Sequence, residues 1–223
     1  MFITFEGIDG CGKTTQVELL EKYLREQNFS ILVTREPGGT EFAEKCRDLL
    51  KKYSESISPK TQAFLISAAR RDHYEKVLKP NLKIKDFIIC DRYIDSFEAY
   101  QRYTQGVHPQ CISELVYWSI GSCFPDLTFF LDIDPKLALN RIKERNEKDY
   151  FDSEKIEFFE KLRDGYKKIA SQSYNSFNGT TFSRFITIDA SKNIDEIHNI
   201  VLNGINYILK LVAENSDLND KLN

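Results

Sequence analysis

The chain has few cysteines, few histidines and no excess of positive charge. Its five cysteines form no C-x-x-C pair and its three histidines are scattered, so neither a disulfide framework nor a zinc site is indicated. The formal net charge of −3 supplies no cationic field for nucleic acid. No apolar run is long enough to span a bilayer, and Glu6 interrupts the N-terminal run before it could form a signal peptide. We therefore expect a protein of the reducing cytoplasm with no nucleic-acid or membrane partner.

Composition and length favour one domain. The 223 residues are 41% hydrophobic, and no Gly/Ser/Pro-rich stretch divides them. We predict a single domain over residues 1–213, followed by a polar tail at 214–223 that frays.

Short apolar runs alternate with helical patterns along the chain, which is typical of an α/β fold. The pattern predicts a five-stranded parallel sheet with helices on both faces. The predicted strands are residues 2–5, 30–34, 87–90, 127–131 and 185–188. The predicted helices are residues 15–26, 42–52, 61–78, 110–122 and 194–212, with Ser58 and Pro59 at the start of the third. The apolar helix at 110–122 could face either the core or a partner subunit.

The stretch G-I-D-G-C-G-K-T, from Gly7 to Thr14, is a complete G-x-x-x-x-G-K-S/T phosphate-binding loop. It lies between the first predicted strand and the first predicted helix, as in a P-loop NTPase. Its glycines let the backbone bend round an anion, the helix directs free N–H groups at the phosphates, and Lys13 bridges the terminal ones. The predicted ATP-binding residues are Gly7, Ile8, Asp9, Gly10, Cys11, Gly12, Lys13, Thr14 and Thr15.

Two further strand ends carry groups suited to phosphate chemistry. Asp91 follows the third predicted strand, and its carboxylate together with the Thr14 hydroxyl is predicted to hold Mg²⁺. Arg92 adds a planar fork that suits a phosphate monoester. After the second strand, a Pro-Gly-Gly turn follows Arg35 and Glu36, for which we predict a role on the substrate side.

Residues 140–149 are dense in charge, and two interpretations stand open. They could form a solvated helix with ion pairs on its surface. They could instead belong to a lid over residues 141–152, whose cations would neutralise a transferring phosphoryl group when the lid closes.

Taken together, these motifs resemble those of the thymidylate kinase family. The matching segments, in family order between Phe5 and about Phe159, are F-E-G-I-D-G-C-G-K-T-T from Phe5, T-R-E-P-G-G-T from Thr34, A-A-R-R-D-H from Ala68, D-R-Y-I-D-S from Asp91, A-Y-Q from Ala99 and P-D-L from Pro125. The resemblance implies Mg²⁺-dependent transfer of the γ-phosphoryl group of ATP to dTMP, which gives dTDP for the synthesis of dTTP. It also implies a homodimer.

The resemblance implies individual roles as well. Asp9 would contact the sugar 3′-hydroxyl, and Arg92 and Arg35 would hold the acceptor phosphate. Arg70 would hydrogen-bond the thymine, and Tyr100 would exclude a ribose 2′-hydroxyl. The full predicted dTMP-binding set is Asp9, Arg35, Glu36, Ile66, Arg70, Arg92, Tyr100 and Gln101. The predicted catalytic set is Lys13, Arg92, Arg145 and Asp9, which act by positioning and charge neutralisation because the acceptor phosphate is already ionised.

The chain departs from its relatives at two places. Gly10 stands where one branch of the family carries an arginine, so the lid must supply a cation. Tyr150 occupies the usual lid arginine position, which makes Arg145 the predicted cation. Ile66 replaces a phenylalanine that stacks on thymine, and Phe64 points to another helix face. We therefore expect weaker base binding than a phenylalanine would give.

Other functions are compatible with part of this pattern. Another nucleotide kinase on the same scaffold would differ only in its acceptor, and an ATP-binding interaction module would lack the acceptor-side residues. A GTP switch is disfavoured because the order of residues 146–149, Asn-Glu-Lys-Asp, scrambles the guanine-binding motif.

Overall fold

The computed structural model of the chain describes residues 1–144, 156–172, 174–177 and 180–220. Its strands are β1 (Phe2–Glu6), β2 (Ile31–Arg35), β3 (Phe87–Asp91), β4 (Leu127–Asp132), β5 (Tyr174–Phe177), β6 (Thr180–Ser183) and β7 (Phe185–Asp189). β5 and β6 pair as a small antiparallel sheet, which the sequence did not predict. The other strands form an all-parallel, five-stranded sheet in the order β2-β3-β1-β4-β7. The predicted α/β fold is confirmed.

Helices cover both faces of this sheet. They are α1 (Lys13–Glu26), α2 (Glu41–Tyr53), α3 (Pro59–His73), α4 (Lys79–Asn81), α5 (Ile94–Phe97), α6 (Pro109–Ile120), α7 (Pro135–Glu144), α8 (Ile156–Gln172) and α9 (Ile194–Asp220). Two π-helical segments, Tyr74–Leu78 and Glu98–Thr104, continue α3 and α5. None of the helices in the described ranges is both long and apolar enough to cross a membrane.

Local sequence explains where several helices begin and end. The Ser58 side chain caps α3 by accepting from the Thr61 amide at 3.1 Å, and Pro59 occupies the first turn, both as predicted. Thr40 caps α2 in the same way, at 3.1 Å from the Ala43 amide. One boundary was wrong: α9 continues to Asp220 instead of ending at residue 212, so most of the predicted frayed tail is helical.

The sheet brings its chemically active residues to one edge. β1 lies between β3 and β4, and its five residues are all buried because helices cover both sides. The register aligns Phe5 and Arg35 with Asp91, so the segments after β1, β2 and β3 meet beyond the carboxyl ends of these strands. Ligands of open parallel sheets bind at this edge. Glu6, the last residue of β1, is a fully buried carboxylate at the same place.

Candidate active site

The phosphate-binding loop follows β1 and leads into α1. Lys13 is buried, and its ammonium donates to the carbonyl oxygens of Gly7 and Ile8, each at 3.1 Å. Gly10 and Gly12 adopt φ angles of 80° and 98°, which only glycine adopts without strain. The loop therefore has the bend that a polyphosphate cradle requires.

Gly10 also lies against α7. A Cβ atom at this position would lie 2.5 Å from the carbonyl oxygen of Ala138 and 3.1 Å from the Ile142 side chain. Because that distance is a clash with backbone, no side chain fits here without displacement of α7. The packing thus explains why this chain has no arginine in the loop.

Thr14 and Asp91, the two predicted metal ligands, lie in contact with each other. The Thr14 hydroxyl donates to Asp91 Oδ2 at 3.0 Å, whereas Asp91 Oδ1 is buried and has no hydrogen-bond partner among the described residues. The described residues contain no cluster of three or more His, Cys, Asp or Glu side chains able to hold a metal. A hydroxyl and a carboxylate fit Mg²⁺, which takes oxygen ligands, uses one or two carboxylates and keeps several waters or phosphate oxygens.

A cleft opens beside the phosphate loop. All predicted dTMP-site residues except Arg35 line it: Asp9, Glu36, Ile66, Arg70, Arg92, Tyr100 and Gln101. The structure places Arg35 outside the cleft, where its guanidinium pairs with Glu44 of α2 at 2.9 Å in an exposed position. Arg35 is the last residue of β2 and is exposed, whereas Glu36, just beyond the strand, is buried against Arg70 and His73.

Arg92 is held on several sides. Its backbone has φ 68°, a left-handed conformation that is uncommon outside glycine, and its amide donates to the Phe5 carbonyl oxygen at 3.0 Å. Its guanidinium pairs with Asp9 and lies 5.5 Å from the centre of the Tyr100 ring. Burial opposes ionisation of Asp9, but Arg92 and Lys13 outweigh it and lower the pKa of that carboxyl. An anionic Asp9 and a cationic Arg92 therefore lie side by side.

Arg70 and Glu36 form a second buried pair. Arg70 Nε donates to Glu36 Oε2 at 2.6 Å, and the other Glu36 oxygen lies 2.9 Å from His73 Nδ1. The His73 ring in turn contacts the Thr34 hydroxyl through Nε2 at 2.7 Å. Burial opposes ionisation of Glu36, but Arg70 and then His73 lower its pKa below the usual value. Both Glu36 oxygens are thus engaged by protein groups, so Glu36 orients Arg70.

Three residues that line the cleft each have a buried polar atom that makes no hydrogen bond within the described ranges: Ser54 Oγ, Arg70 Nη1 and Gln101 Oε1. Arg70 Nη1 is a donor, Gln101 Oε1 is an acceptor, and the Ser54 hydroxyl can act as either. The apolar lining of the cleft includes Ile66, whereas Phe64 is 65% exposed and points away, as predicted.

Some lining residues were not predicted. Arg47 of α2 lines the cleft and donates to the Pro37 carbonyl oxygen at 3.2 Å. A signal existed, because Arg47 follows buried Ala43 by four residues and so shares the inward helix face with it. Tyr166 of α8 does not line the cleft but accepts a hydrogen bond from Arg92. Nothing in the sequence signals this contact, because the two residues are 74 positions apart along the chain.

The charged segment predicted as a lid is described only in part. Arg141 lies in the last turns of α7 and donates to the Ala190 carbonyl oxygen at 2.9 Å, and Lys143 is exposed. The predicted lid cation Arg145 and its neighbour Tyr150 lie outside the described residues.

Comparison with known proteins places the chain among similar sequences and structures. The thymidylate kinase family profile matches residues 5–201. Over 200 residues the chain is 40% identical to the thymidylate kinase of Geobacillus sp. (strain WCH70), covering 88% of this chain and 91% of the relative. It is 43% identical over 183 residues to that of Wolbachia pipientis subsp. Culex pipiens (strain wPip), covering 81% and 86%. The crystal structure of thymidylate kinase from Ehrlichia chaffeensis superposes with a TM-score of 0.72 at 37% identity, covering 92% and 98% of the two chains.

Proposed function

This chain belongs to the thymidylate kinase family, and on that premise we propose that it transfers the γ-phosphoryl group of ATP to dTMP, giving dTDP and ADP on the route to dTTP. The choice of acceptor rests on two of the three unpartnered atoms in the cleft, the donor Arg70 Nη1 and the acceptor Gln101 Oε1. Thymine offers a carbonyl acceptor beside an N–H donor, which complements this pair. A ligand that satisfies buried polar groups recovers about 1–3 kcal/mol for each.

The reaction needs positioning and charge neutralisation. A phosphate oxygen of dTMP attacks the γ-phosphorus of ATP while the bond to the β,γ-bridging oxygen breaks, and ADP leaves with the electron pair. Lys13 offsets charge on the terminal phosphates of ATP, and Arg92 binds the acceptor phosphate. Asp9 is kept anionic by Arg92 and Lys13, so it can accept a hydrogen bond from the sugar 3′-hydroxyl. Tyr100 packs where a ribose 2′-hydroxyl would lie.

Thr14 and Asp91 are the proposed Mg²⁺ ligands, because they supply a hydroxyl and an unpartnered carboxylate oxygen next to the loop. When bound, Mg²⁺ neutralises negative charge on the β- and γ-phosphates. Because a side chain at Gly10 would clash with α7, the loop cannot carry an arginine there, and Arg145 remains the proposed lid cation.

We also propose that the protein forms a homodimer through α6. Tyr117 and Trp118 are 68% and 75% exposed on that helix, and Phe124 beyond it is 51% exposed. Three large aromatic side chains in one stretch of surface favour an interface. A second copy is the proposed partner, and the five free cysteines fit a reducing cytoplasm.

The acceptor is tested directly by ADP release from ATP and Mg²⁺ with dTMP, dUMP, dCMP, dGMP or AMP. We expect the highest kcat/KM with dTMP. A preference for a purine acceptor would favour a different nucleotide kinase. Arg92→Ala should raise KM for dTMP strongly while ATP binding persists, which an ATP-binding interaction module would not show.

A further inference from the structure

A chain of buried hydrogen bonds runs from Arg92 into the interior. Arg92 Nη1 donates to the Tyr166 hydroxyl at 3.0 Å and to Ser96 Oγ at 3.1 Å. The Ser96 and Tyr166 hydroxyls lie 2.8 Å apart, and Ser96 Oγ donates to Glu6 Oε2 at 2.5 Å. The other oxygen, Glu6 Oε1, accepts from the Tyr93 amide at 2.7 Å. We call the three buried side chains of Tyr166, Ser96 and Glu6 the relay.

The relay has a defined direction. An arginine only donates hydrogen bonds, so the Tyr166 hydroxyl accepts from Arg92 and directs its own proton to Ser96. The Ser96 proton is then directed to Glu6, and both Glu6 oxygens accept. A carboxylate that only accepts is an ionised one. The relay is therefore complete when Glu6 carries its negative charge.

The relay also fixes the backbone of Arg92. Two main-chain amides flank the left-handed φ of 68° at Arg92: the Arg92 amide donates to the Phe5 carbonyl oxygen, and the Tyr93 amide donates to the Glu6 carboxylate. Such a conformation is unfavourable for a residue with a side chain and persists where neighbouring groups enforce it. Glu6 therefore restrains Arg92 twice, through the main chain at Tyr93 and through the side chain by way of Ser96.

We propose that the relay positions the Arg92 guanidinium for the phosphate of the acceptor nucleotide, with Glu6 and Tyr166 as positioning residues. The inference rests on the proposed function in taking Arg92 as the ligand of that phosphate. Helix α8 follows the predicted lid and contributes no residue to the cleft lining, so its role at the site is to position Arg92 through Tyr166.

The environment of Glu6 makes the relay sensitive to pH. Burial and then the Asp95 carboxylate raise the pKa of Glu6 to about 7, against the opposing effects of Ser96 and Arg92. The titratable and charged side chains that face Glu6 from the surrounding elements are Cys90, Arg92, Asp95, Tyr100 and Tyr166. Of these, Asp95 is compensated by a bidentate pair with Arg184, at 3.0 and 2.5 Å. Glu6 therefore becomes protonated as the pH falls through about 7. A protonated Glu6 no longer acts as an acceptor at both oxygens, so the donor–acceptor order of the relay is lost.

The test measures dTMP binding to the full-length protein by calorimetry between pH 6 and pH 8, with thymidine as the ligand that lacks a phosphate. Tyr166→Phe removes one hydroxyl from the relay. Tyr103→Phe is the matched control, because Tyr103 packs on α8 at Gly165 without a hydrogen bond to Arg92. We expect Tyr166→Phe to weaken dTMP binding roughly tenfold and to leave thymidine binding within about twofold of wild type, because only the phosphate contact is affected.

The pH arm uses Glu6→Gln, which cannot ionise. With a pKa of about 7, Glu6 is ionised in roughly ten times fewer molecules at pH 6 than at pH 8. The second pKa of the dTMP phosphate is about 6, so the fraction of dianionic dTMP falls about twofold from pH 8 to pH 6. This lowers the apparent affinity of wild type and variants alike. Wild-type affinity for dTMP should therefore fall by more than about twofold and by at most about twentyfold from pH 8 to pH 6, and that of Glu6→Gln by about twofold. Circular dichroism checks that the variants are folded. If a variant does not fold, the pH dependence of dTMP binding by the wild type still tests the proposal.

Three results would overturn the proposal. One is equal dTMP affinity in Tyr166→Phe and Tyr103→Phe, and another is a wild-type pH profile that follows ligand ionisation alone. A third is a loss of thymidine binding as large as the loss of dTMP binding, which would indicate general damage to the cleft. Wild-type protein that binds no dTMP at any pH would instead contradict the proposed function, and this inference with it.

Discussion

The buried pair of Glu36 and Arg70 allows a quantitative test of how the cleft is built. The two side chains are 3% and 2% exposed, and their charged atoms are 2.6 Å apart. Glu36→Gln keeps the shape of the side chain but leaves the Arg70 charge uncompensated in the interior. Removal of one partner from a buried pair costs about 3–5 kcal/mol. Because the amide oxygen can still accept from Arg70, we expect a loss at the lower end, about 3 kcal/mol.

Glu44→Gln is the matched control. Glu44 pairs with Arg35 at 2.9 Å, but the two side chains are 38% and 56% exposed. Exposed pairs contribute about 0–1 kcal/mol, so the same chemical change should cost little there. Urea unfolding followed by circular dichroism gives the free energy of unfolding of each variant from its midpoint and slope. If the free energies of unfolding of Glu36→Gln and Glu44→Gln differ by less than about 1 kcal/mol, the buried Glu36 charge does not stabilise the fold.

The same pair predicts a pH dependence. Despite the cost of burial, Arg70 and His73 lower the pKa of Glu36, so its folded value lies below the unfolded value of about 4.3. The stability it contributes is therefore fully present above that unfolded value and is lost as the pH falls through the folded one. The difference in unfolding free energy between wild type and Glu36→Gln should be constant above about pH 5 and shrink below about pH 4.

Three further predictions follow from the site and the surface. Ile66→Phe should add ring stacking worth about 0.5–1.5 kcal/mol and lower KM for dTMP roughly two- to tenfold, and an unchanged or higher KM would contradict the expected stacking position. Gly10→Ala should reduce ATP affinity and thermal stability, because the added methyl would clash with the Ala138 carbonyl oxygen and because φ at this position is 80°. A variant with the wild-type melting temperature and the wild-type ATP affinity would contradict this prediction. Trp118→Asp should yield monomers by light scattering, where wild type gives dimers; a monomeric wild type would refute the proposed interface.

The sheet could be predicted because its strands are covered on both faces. β1 and β3 are nearly continuous apolar runs, and each ends directly at a polar group that serves the site, the phosphate loop or Asp91. The loop motif and the strand ends predicted Asp9, Glu36 and Arg92 of the cleft, whereas Ile66, Arg70, Tyr100 and Gln101 were predicted from the family resemblance. The order of the strands brought these segments to one edge, as the rule for parallel sheets implies.

The remaining features depend on directions and distances that periodicity does not encode. Arg35 was predicted to hold phosphate, yet it pairs with Glu44 outside the cleft, and Glu36, just beyond the end of β2, takes the inward position. Arg47 occupies the inward face of α2 although an arginine there resembles a surface residue. Tyr166 contacts Arg92 only through the tertiary packing of α8. Helix α9 runs on through a polar sequence that predicted fraying.

The close approach of Gly10 to α7 has a consequence for substitution at this position. Because the gap between the loop and Ala138 admits no more than a hydrogen atom, an arginine cannot be introduced at Gly10 by one substitution alone. Helix α7 would have to shift outward at the same time. In this chain, a positive charge at position 10 therefore requires a coupled change in the packing of α7.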